Sequence, residues 1–319
     1  MDKETMMKVV LKECRLIVDG IEEFDSPAVT TYVITPKPGV KLVSFQNKAI
    51  DVAFALGRSV RCSINGLNVE YEVAKDKTER RIVDLQEMLG TPEWETAKSE
   101  MKLPIPLGID THGVKRYADL TQMPHLLVGG ATKQGKTEFI RCLISSLASC
   151  RSRYELQFRL LDNKACEFKE YELDHKVVYG KDCISELRLI NEEMDSRYNE
   201  IANNPDVKSP YMVVVVDEYS DYLYEETFRD IQNDVIQIAQ KGRKVGIHLI
   251  VATQRVDRDV VSVLLKANIP TSIAFRVATS QDSRLLLGTG GAEMLNGSGD
   301  MLFMSGAEQI RIQSPIDKK

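Results

Sequence analysis

The segment with the clearest chemical meaning runs from Gly130 to Thr137 and reads G-A-T-K-Q-G-K-T, which matches the phosphate-binding pattern G-x-x-x-x-G-K-T. Its glycines let the backbone curl until N–H groups point at phosphate oxygens, and the start of the following helix adds partial positive charge. Lys136 is placed to neutralise the β- and γ-phosphates, and Thr137 offers a hydroxyl to Mg²⁺. The residues predicted to bind the nucleotide are Gly130, Ala131, Thr132, Lys133, Gln134, Gly135, Lys136, Thr137 and Glu138.

An acidic pair, Asp217 and Glu218, follows the apolar run YMVVVV and supplies the second half of such a site. A buried strand would deliver Asp217 at its carboxyl end, where the ligands of open α/β sheets bind. We expect Asp217 to hold Mg²⁺ through water, and Glu218 to orient and deprotonate an attacking water. Because water activation needs the second carboxylate, the pair favours a hydrolase over a kinase. The sequence therefore predicts an ATPase that uses ATP and Mg²⁺.

A third candidate, Gln254, lies in the segment Ala252–Arg255 at the end of another apolar run. Its side chain could sense the γ-phosphate and pass that information to the residues that follow. The same residues are also consistent with a capping threonine followed by an ordinary loop glutamine, which is the more frequent arrangement. Both interpretations stay open on the sequence alone.

Short apolar runs and amphipathic segments alternate from about residue 105 onwards. The strands and helices that this alternation predicts must position the residues of the candidate site. Helices are predicted over 138–148, 184–202, 228–242 and 260–267. The apolar runs between them suit strands that are buried on both faces, as in a mostly parallel sheet with helices on both sides. These runs are HLLVGG, LQFRLLD, KVVYG, YMVVVVDE, IHLIVATQ and TSIAFRV. The predicted fold class is α/β.

The first hundred residues have a different pattern. Short β-branched runs between residues 28 and 73 are separated by turn signals, and helices are predicted over 49–56 and 82–89. This is typical of a small α+β unit. We therefore predict two domains: residues 1–104, a small α+β subdomain with its connector, and residues 105–319, a P-loop ATPase domain.

Composition excludes several classes of protein. The 319 residues are 43% hydrophobic and 28% charged, which excludes a disordered or collagen-like chain. A formal net charge of −5 argues against an overall basic nucleic-acid coat but leaves a local basic channel possible. The six cysteines form no C-x-x-C pair, so a reducing, cytoplasmic location is expected. No apolar run approaches the ~20 residues of a membrane span, and direct membrane insertion is not expected.

Several longer segments resemble the motor region of the FtsK/SpoIIIE DNA translocases, over nearly the whole chain. Residues 27–56 are similar to the family's smaller α subdomain, and the family's larger β subdomain is RecA-like. The resemblance implies a RecA-like P-loop ATPase fold. It leaves open whether the chain is an excised motor or a stand-alone motor of a mobile element or phage. The segments that carry it are MPHLLVGGATKQGKT, EMDSRY, VVVVDEYSD, IAQKGRKVGIHLIVATQR, LLKANIPTSIAFRVATSQDSR and GAEMLNGSGDMLF.

The resemblance also implies roles for residues that the motifs alone do not assign. Members of the family form hexameric rings that thread double-stranded DNA and hydrolyse ATP between neighbouring subunits. Arg243, in QKGR, matches the arginine finger that completes a neighbour's site, although by itself it would be interpreted as a helix-terminal arginine. Arg255 and Lys266 match basic positions that line the channel and contact the DNA backbone.

Two alternatives share the same ATPase core. A conjugative coupling protein would recruit a relaxase, or another mobile-element partner, and pass single-stranded DNA to a secretion channel. A protein-secretion ATPase of the type VII kind would move polypeptide, although such proteins usually carry tandem ATPase modules. The intact Lys136, Asp217 and Glu218 argue against a degenerate module that only binds nucleotide.

Overall fold

The computed structural model describes residues 3–164, 167–172 and 175–318, so Cys166 lies outside the described residues. The chain divides into two compact units. The smaller comprises the residues through Val83 together with Gly108–Arg116, and the larger comprises Asp84–Leu107 and the residues from Tyr117 onwards. Because the two units interleave along residues 84–116, the domain boundary predicted between residues 104 and 105 stays a prediction.

The smaller unit is an antiparallel sheet covered by two helices, which is the predicted α+β arrangement. The elements are α1 (Lys3–Glu13), β1 (Val18–Asp25), β2 (Val29–Pro36), α2 (Leu42–Leu56), β3 (Val60–Asn65) and β4 (Asn68–Ala74). The strands follow the order β1-β2-β4-β3. Helix α2 buries Phe45 and Val52 against Tyr71 and its neighbours, and the Tyr71 hydroxyl donates a 2.8 Å hydrogen bond to the carbonyl of Phe45.

The remaining elements begin at Val83. Between His125 and Leu287 helices separate most of the strands, as the sequence predicts for the residues after about 105. The elements are β5 (Val83–Asp84), α3 (Leu85–Leu89), α4 (Pro92–Glu100), β6 (Pro104–Asp110), β7 (Lys115–Asp119), β8 (His125–Gly129), α5 (Lys136–Cys150), β9 (Leu156–Asp162), β10 (Lys176–Tyr179), α6 (Asp182–Asn203), β11 (Tyr211–Asp217), α7 (Phe228–Lys241), β12 (Ile247–Thr253), α8 (Val263–Asn268), β13 (Thr271–Phe275), α9 (Ser280–Leu287), β14 (Asp300–Ser305), β15 (Glu308–Gln313) and β16 (Pro315–Ile316).

Ten of these strands form one sheet, in the order β10-β9-β11-β12-β8-β13-β14-β15-β6-β7, and β16 pairs with β5 in a separate two-stranded sheet. The strands from β10 to β13 in this order all run parallel, and β13-β14-β15 are antiparallel. Strand β11 is buried on both faces: Val214 and Val216 belong to one apolar cluster, and Val213 and Val215 belong to the other. The predicted α/β class, with a mostly parallel sheet, is confirmed.

The described part of the chain, with its gaps at 165–166 and 173–174, contains no helix with the length and apolar character needed to cross a bilayer. The five cysteines of that part are free thiols.

Candidate nucleotide-binding site

The glycine-rich segment forms the loop between strand β8 and helix α5. At Gly130, a Cβ atom would lie 2.6 Å from the Cβ atom of Phe275, well inside van der Waals contact. At Gly135, where φ is +116°, a Cβ atom would lie 2.9 Å from the backbone of Gly299. The close approach of Phe275 and of the Gly299 backbone therefore requires both glycines of the motif, in addition to any requirement of a bound phosphate.

Backbone hydrogen bonds from three neighbouring segments fix the shape of this loop. The Gly130 N–H donates to the carbonyl of Thr253 at 3.3 Å, and the Ala131 N–H donates to the carbonyl of Arg276 at 2.9 Å. The Gly299 N–H donates to the carbonyl of Gln134 at 2.8 Å. Sequence reasoning assigned no role to Gly299, because the G-S-G-D segment carries no local sign of where it folds.

Lys136, Asp217 and Glu218 come together at the carboxyl edge of the parallel strands. Lys136 opens α5, and the acidic pair lies where β11 ends and a short 3₁₀ helix begins at Tyr219. The Nζ atom of Lys136 lies 3.0 Å from Oε2 of Glu218 and 3.9 Å from Oδ1 of Asp217. All three side chains are buried, so their charges interact with little screening by water.

Glu218 is held in one orientation by Lys136 at its Oε2 atom and by three further donors around its Oε1 atom. The Gln254 N–H donates to its Oε1 atom at 2.9 Å, the Thr253 hydroxyl lies 3.4 Å from the same atom, and the Ser220 hydroxyl also donates to it. Burial by itself would raise the pKa of Glu218, but Lys136 and these donors outweigh it, so the pKa is lowered. Its backbone has a φ of +48°, a left-handed conformation that is unusual for a residue with a side chain. The arrangement presents an ionised, oriented carboxylate.

Asp217 differs from its neighbour in its pKa and in its hydrogen bonding. Burial is the largest influence on its carboxyl group, and it raises the pKa of Asp217 to about 6, against the opposing effect of Lys136. Within the described residues, its buried Oδ1 atom has no hydrogen-bond partner. An anionic oxygen with unused capacity, beside the phosphate loop, is a suitable ligand for a hard cation.

The raised pKa of Asp217 leads to a prediction about stability. A carboxyl group whose pKa is higher in the folded state than in the unfolded state destabilises the fold above that pKa, and the effect fades as the pH falls towards the unfolded value. Asp217→Asn should therefore stabilise the ligand-free protein by roughly 2–3 kcal/mol at pH 7.5 and by about half as much at pH 5. Urea unfolding at the two pH values measures both numbers.

A matched control for this prediction is Asp206→Asn, because Asp206 is exposed. We expect this variant to unfold like the parent at both pH values. If Asp217→Asn were destabilised at pH 7.5, the buried carboxylate would be stabilising the fold and the prediction would be wrong.

Gln254 connects the phosphate loop to the acidic pair. Its Oε1 atom accepts a 2.7 Å hydrogen bond from the Thr132 hydroxyl, and its backbone N–H is one of the donors to Glu218. Its role as a sensor stays a prediction.

Thr253 and Ser220, which sequence reasoning did not assign to the site, both contact Glu218. The T-Q dipeptide at a strand end was the one local signal for Thr253.

The other predicted nucleotide-binding residues lie on the loop and the first turn of α5. Lys133 is exposed, with a φ of +61°. Thr137 is half-buried on the first turn of the helix, next to Lys136. Glu138 faces along the helix and accepts a 3.3 Å hydrogen bond from Arg141, so its carboxylate is engaged within α5.

Arg243 lies at the opposite edge of the sheet from the phosphate loop. It belongs to a 3₁₀ turn, Gly242–Val245, which leads into the amino end of β12. Strand β12 runs parallel to β8, with Thr253 beside Gly129 at their carboxyl ends. The strand rises by about 3.3 Å per residue, so its seven residues separate Arg243 from the loop by about 20 Å. The side chain is exposed, and no partner within the described ranges forms an ion pair with it.

The two residues predicted to contact DNA both have partners within the chain. Arg255 is exposed, forms an ion pair with Asp257 and donates a 2.6 Å hydrogen bond to the Tyr224 hydroxyl. Lys266 donates to the carbonyls of Leu285 and Leu286, at 2.8 and 2.5 Å, where α9 ends. Burial lowers the pKa of Lys266. The predicted DNA contacts of both residues stay predictions.

Comparison with known proteins identifies relatives of this arrangement. The model of the FtsK/SpoIIIE family matches residues 84–205. DNA translocase SftA of Bacillus subtilis is 33% identical, over 98% of this chain and 35% of its own length. DNA translocase FtsK of Halalkalibacterium halodurans is 36% identical, over 90% of this chain and 40% of its own length. The chain thus spans between a third and a half of the length of these curated relatives.

A similar fold is present in a solved structure of the pCW3 conjugation coupling protein TcpA, in its monomer form with ATPγS. The TM-score is 0.66 at 18% sequence identity, and the match covers 99% of this chain and 95% of that chain. At this level of identity, the likeness supports the fold.

Proposed function

The chain belongs to the FtsK/SpoIIIE family of ATPases, and from this premise we propose that it hydrolyses ATP to move along double-stranded DNA as a homo-oligomeric, hexameric ring. One observation carries the proposal. The phosphate loop, Lys136 and Glu218 lie at one edge of the sheet, whereas the exposed Arg243 lies about 20 Å away at the other edge. Because Arg243 cannot reach its own chain's site, it is available to the site of a neighbouring subunit.

The catalytic steps follow from the groups at the site. The N–H groups of the phosphate loop and Lys136 would bind the phosphates. Glu218, which lies 3.0 Å from the Lys136 ammonium in the ligand-free protein, would accept a proton from the attacking water. The new P–O bond forms as the bond between the γ-phosphorus and the ADP oxygen breaks. Thr137 and Asp217 would hold Mg²⁺, which supplies Lewis-acid neutralisation of phosphate charge when bound. The buried Oδ1 atom of Asp217, which accepts no hydrogen bond from the described part of the chain, supports this fit.

Gln254 connects the nucleotide site to the segment that we propose to contact DNA. It contacts Thr132 of the phosphate loop and Glu218, and the next residue along the chain is the exposed Arg255. We propose that Arg255 contacts DNA phosphates, since it is exposed and directly follows Gln254. Lys266 would have to leave the carbonyls of α9 before it could bind a phosphate.

ATP hydrolysis by the purified chain, measured with linear duplex DNA, with single-stranded DNA and with neither, tests the proposal. We expect duplex to stimulate hydrolysis strongly and the stimulation to fall as salt is added, because phosphate contacts release counterions. Arg255→Gln should reduce the salt dependence. Stimulation by single strands alone, or only by a protein partner such as a relaxase, would overturn the proposal in favour of a coupling or secretion role.

A further inference from the structure

The segment Glu193–Tyr198 near the end of α6 has no role in the mechanism described above, yet it contains a buried arginine. The side chain of Arg197 is 3% exposed. Its Nε atom donates to Oε1 of Glu193 at 3.0 Å, and its Nη1 atom donates to the carbonyls of Pro210 at 2.8 Å and Val245 at 3.1 Å. A single guanidinium therefore ties α6 to the start of β11 and to the turn before β12.

The next residue, Tyr198, contacts the other end of the same turn. Its hydroxyl donates a 2.9 Å hydrogen bond to the carbonyl of Lys241, and the Nζ atom of Lys244 lies 5.7 Å from the centre of its ring. Arg197 and Tyr198 thus bind carbonyls on both sides of Arg243, two residues before it and two residues after it.

The turn that carries Arg243 has little freedom of its own. A Cβ atom at Gly242 would lie 2.8 Å from the carbonyl oxygen of Ile247, and Gly246 has a φ of +74°. The carbonyl of Gly246 accepts a 2.8 Å hydrogen bond from the Met212 N–H. The backbone around Arg243 is therefore held by α6 on one side and by β11 on another, while the Arg243 side chain extends into solvent.

We propose that Arg197, assisted by Tyr198, is a positioning residue that fixes the turn so that Arg243 reaches the nucleotide site of a neighbouring subunit. This inference rests on the proposed function, in which Arg243 acts between subunits. An arginine that stabilises a transferring phosphate acts only over a short range, and misplacement by about 1 Å lowers the rate by about a hundredfold. A guanidinium suits this positioning role, because its rigid fork binds several acceptors at once.

The first experiment compares Arg197→Met and Tyr198→Phe with the parent. We expect Arg197→Met to lower the kcat of DNA-stimulated hydrolysis by roughly a hundredfold, with ATP affinity within twofold of the parent. Tyr198→Phe removes one hydroxyl and should lower kcat several-fold. Thermal unfolding of each variant shows whether it is folded, and Tyr198→Phe keeps the inference testable should Arg197→Met fail to fold. Loss of ATP affinity in parallel with kcat would overturn it.

The second experiment mixes subunits. Lys136→Ala subunits have a defective phosphate loop but an intact Arg243, so mixing them with Arg197→Met subunits creates some interfaces with both parts intact. In a random equimolar ring these are about a quarter of all interfaces. Activity in the mixture well above that of either variant alone is the expected result. Without such recovery, the defect lies in the variant's own site, and the inference is wrong.

Arg243→Ala separates failure of this inference from failure of the proposed function. If Arg243→Ala hydrolyses ATP like the parent, the role of Arg243 between subunits is wrong, and the role of Arg197 is wrong with it. If Arg243→Ala is inactive but both Arg197→Met and Tyr198→Phe remain fully active, only the positioning inference is overturned.

Discussion

Replacing Glu218 with glutamine is expected to lower kcat for ATP hydrolysis by roughly 10²–10⁴-fold while ATP still binds. Glutamine has nearly the same shape, and its carbonyl oxygen can still accept hydrogen bonds from Ser220 and from the Gln254 N–H. It cannot accept a proton from water. The lowered pKa of Glu218 shows that the parent residue is ionised at neutral pH, ready to accept that proton.

Steady-state hydrolysis and equilibrium ATP binding, measured on the same preparations, check this prediction. Glu226→Gln is the matched control, because Glu226 is an exposed carboxylate close by in the sequence. We expect the control to hydrolyse ATP at the parent rate. A Glu218→Gln kcat within about threefold of the parent would mean that another group activates the water, because a general base usually contributes far more than threefold.

The nucleotide-binding residues could be predicted from sequence because their signals are local. A strand, a glycine-rich turn and a helix follow one another within a few residues. In the structure, any side chain at Gly130 or Gly135 would clash with neighbouring atoms, which explains why glycine is required at both positions. The acidic pair follows five apolar residues that belong to a strand buried on both faces. Burial on both faces is what makes a parallel strand easy to recognise, and its carboxyl end is then known.

Contacts between distant segments could not be predicted in the same way. Thr132 and Gln254 are 122 residues apart in the chain, and only the adjacency of β8 and β12 brings them together. The contact between Gly299 and the phosphate loop depends on the placement of β14 beside β13. Sequence patterns identify strands, but the order of strands within a sheet decides which loops meet.

The start of a helix is a second feature that the sequence predicts poorly when no capping residue marks it. The helix predicted over 49–56 begins at Leu42 in the structure. This start could not be predicted from the sequence, because the residue before it, Lys41, provides no side-chain cap. In contrast, Thr279 and Asp282 form a capping box at the start of α9, a signal that sequence reasoning can use. Phe45, in the part of α2 that precedes the predicted helix, is buried in the core of the smaller unit, so tertiary packing stabilises that part of the helix.

The role predicted for Lys266 came from the family resemblance, which does not take account of the contacts of this residue within the folded chain. The assignment came from matching positions, whereas the structure engages its ammonium group with two carbonyls at the end of α9. Unpaired carbonyls at a helix end attract cations, so the same lysine has a structural use in the folded chain. Arg255, by comparison, is exposed on the segment next to Gln254, which makes it the stronger candidate for a DNA contact.

Arg243→Ala should lower the kcat of DNA-stimulated hydrolysis by about 10³-fold or more, an effect comparable to that of Glu218→Gln. The side chain is exposed and lies at the sheet edge opposite the phosphate loop, so its removal leaves its own chain's site unaltered. ATP affinity should stay near the parent value. Arg243→Lys should recover little activity, because an ammonium lacks the planar fork that binds two phosphate oxygens. Steady-state kinetics and equilibrium binding measure these quantities.

Arg229→Ala is the matched control, because it removes another exposed arginine, from the first turn of α7, in the helix that leads to the same turn. It should hydrolyse ATP like the parent. Mixing Arg243→Ala with Lys136→Ala subunits should restore activity, since each variant then supplies what its neighbour lacks. A rescued mixture would place the arginine in trans. If Arg243→Ala were inactive and mixing gave no rescue, Arg243 would be acting on its own chain, and the opposed edges of the sheet would have to be bridged by a rearrangement of that chain.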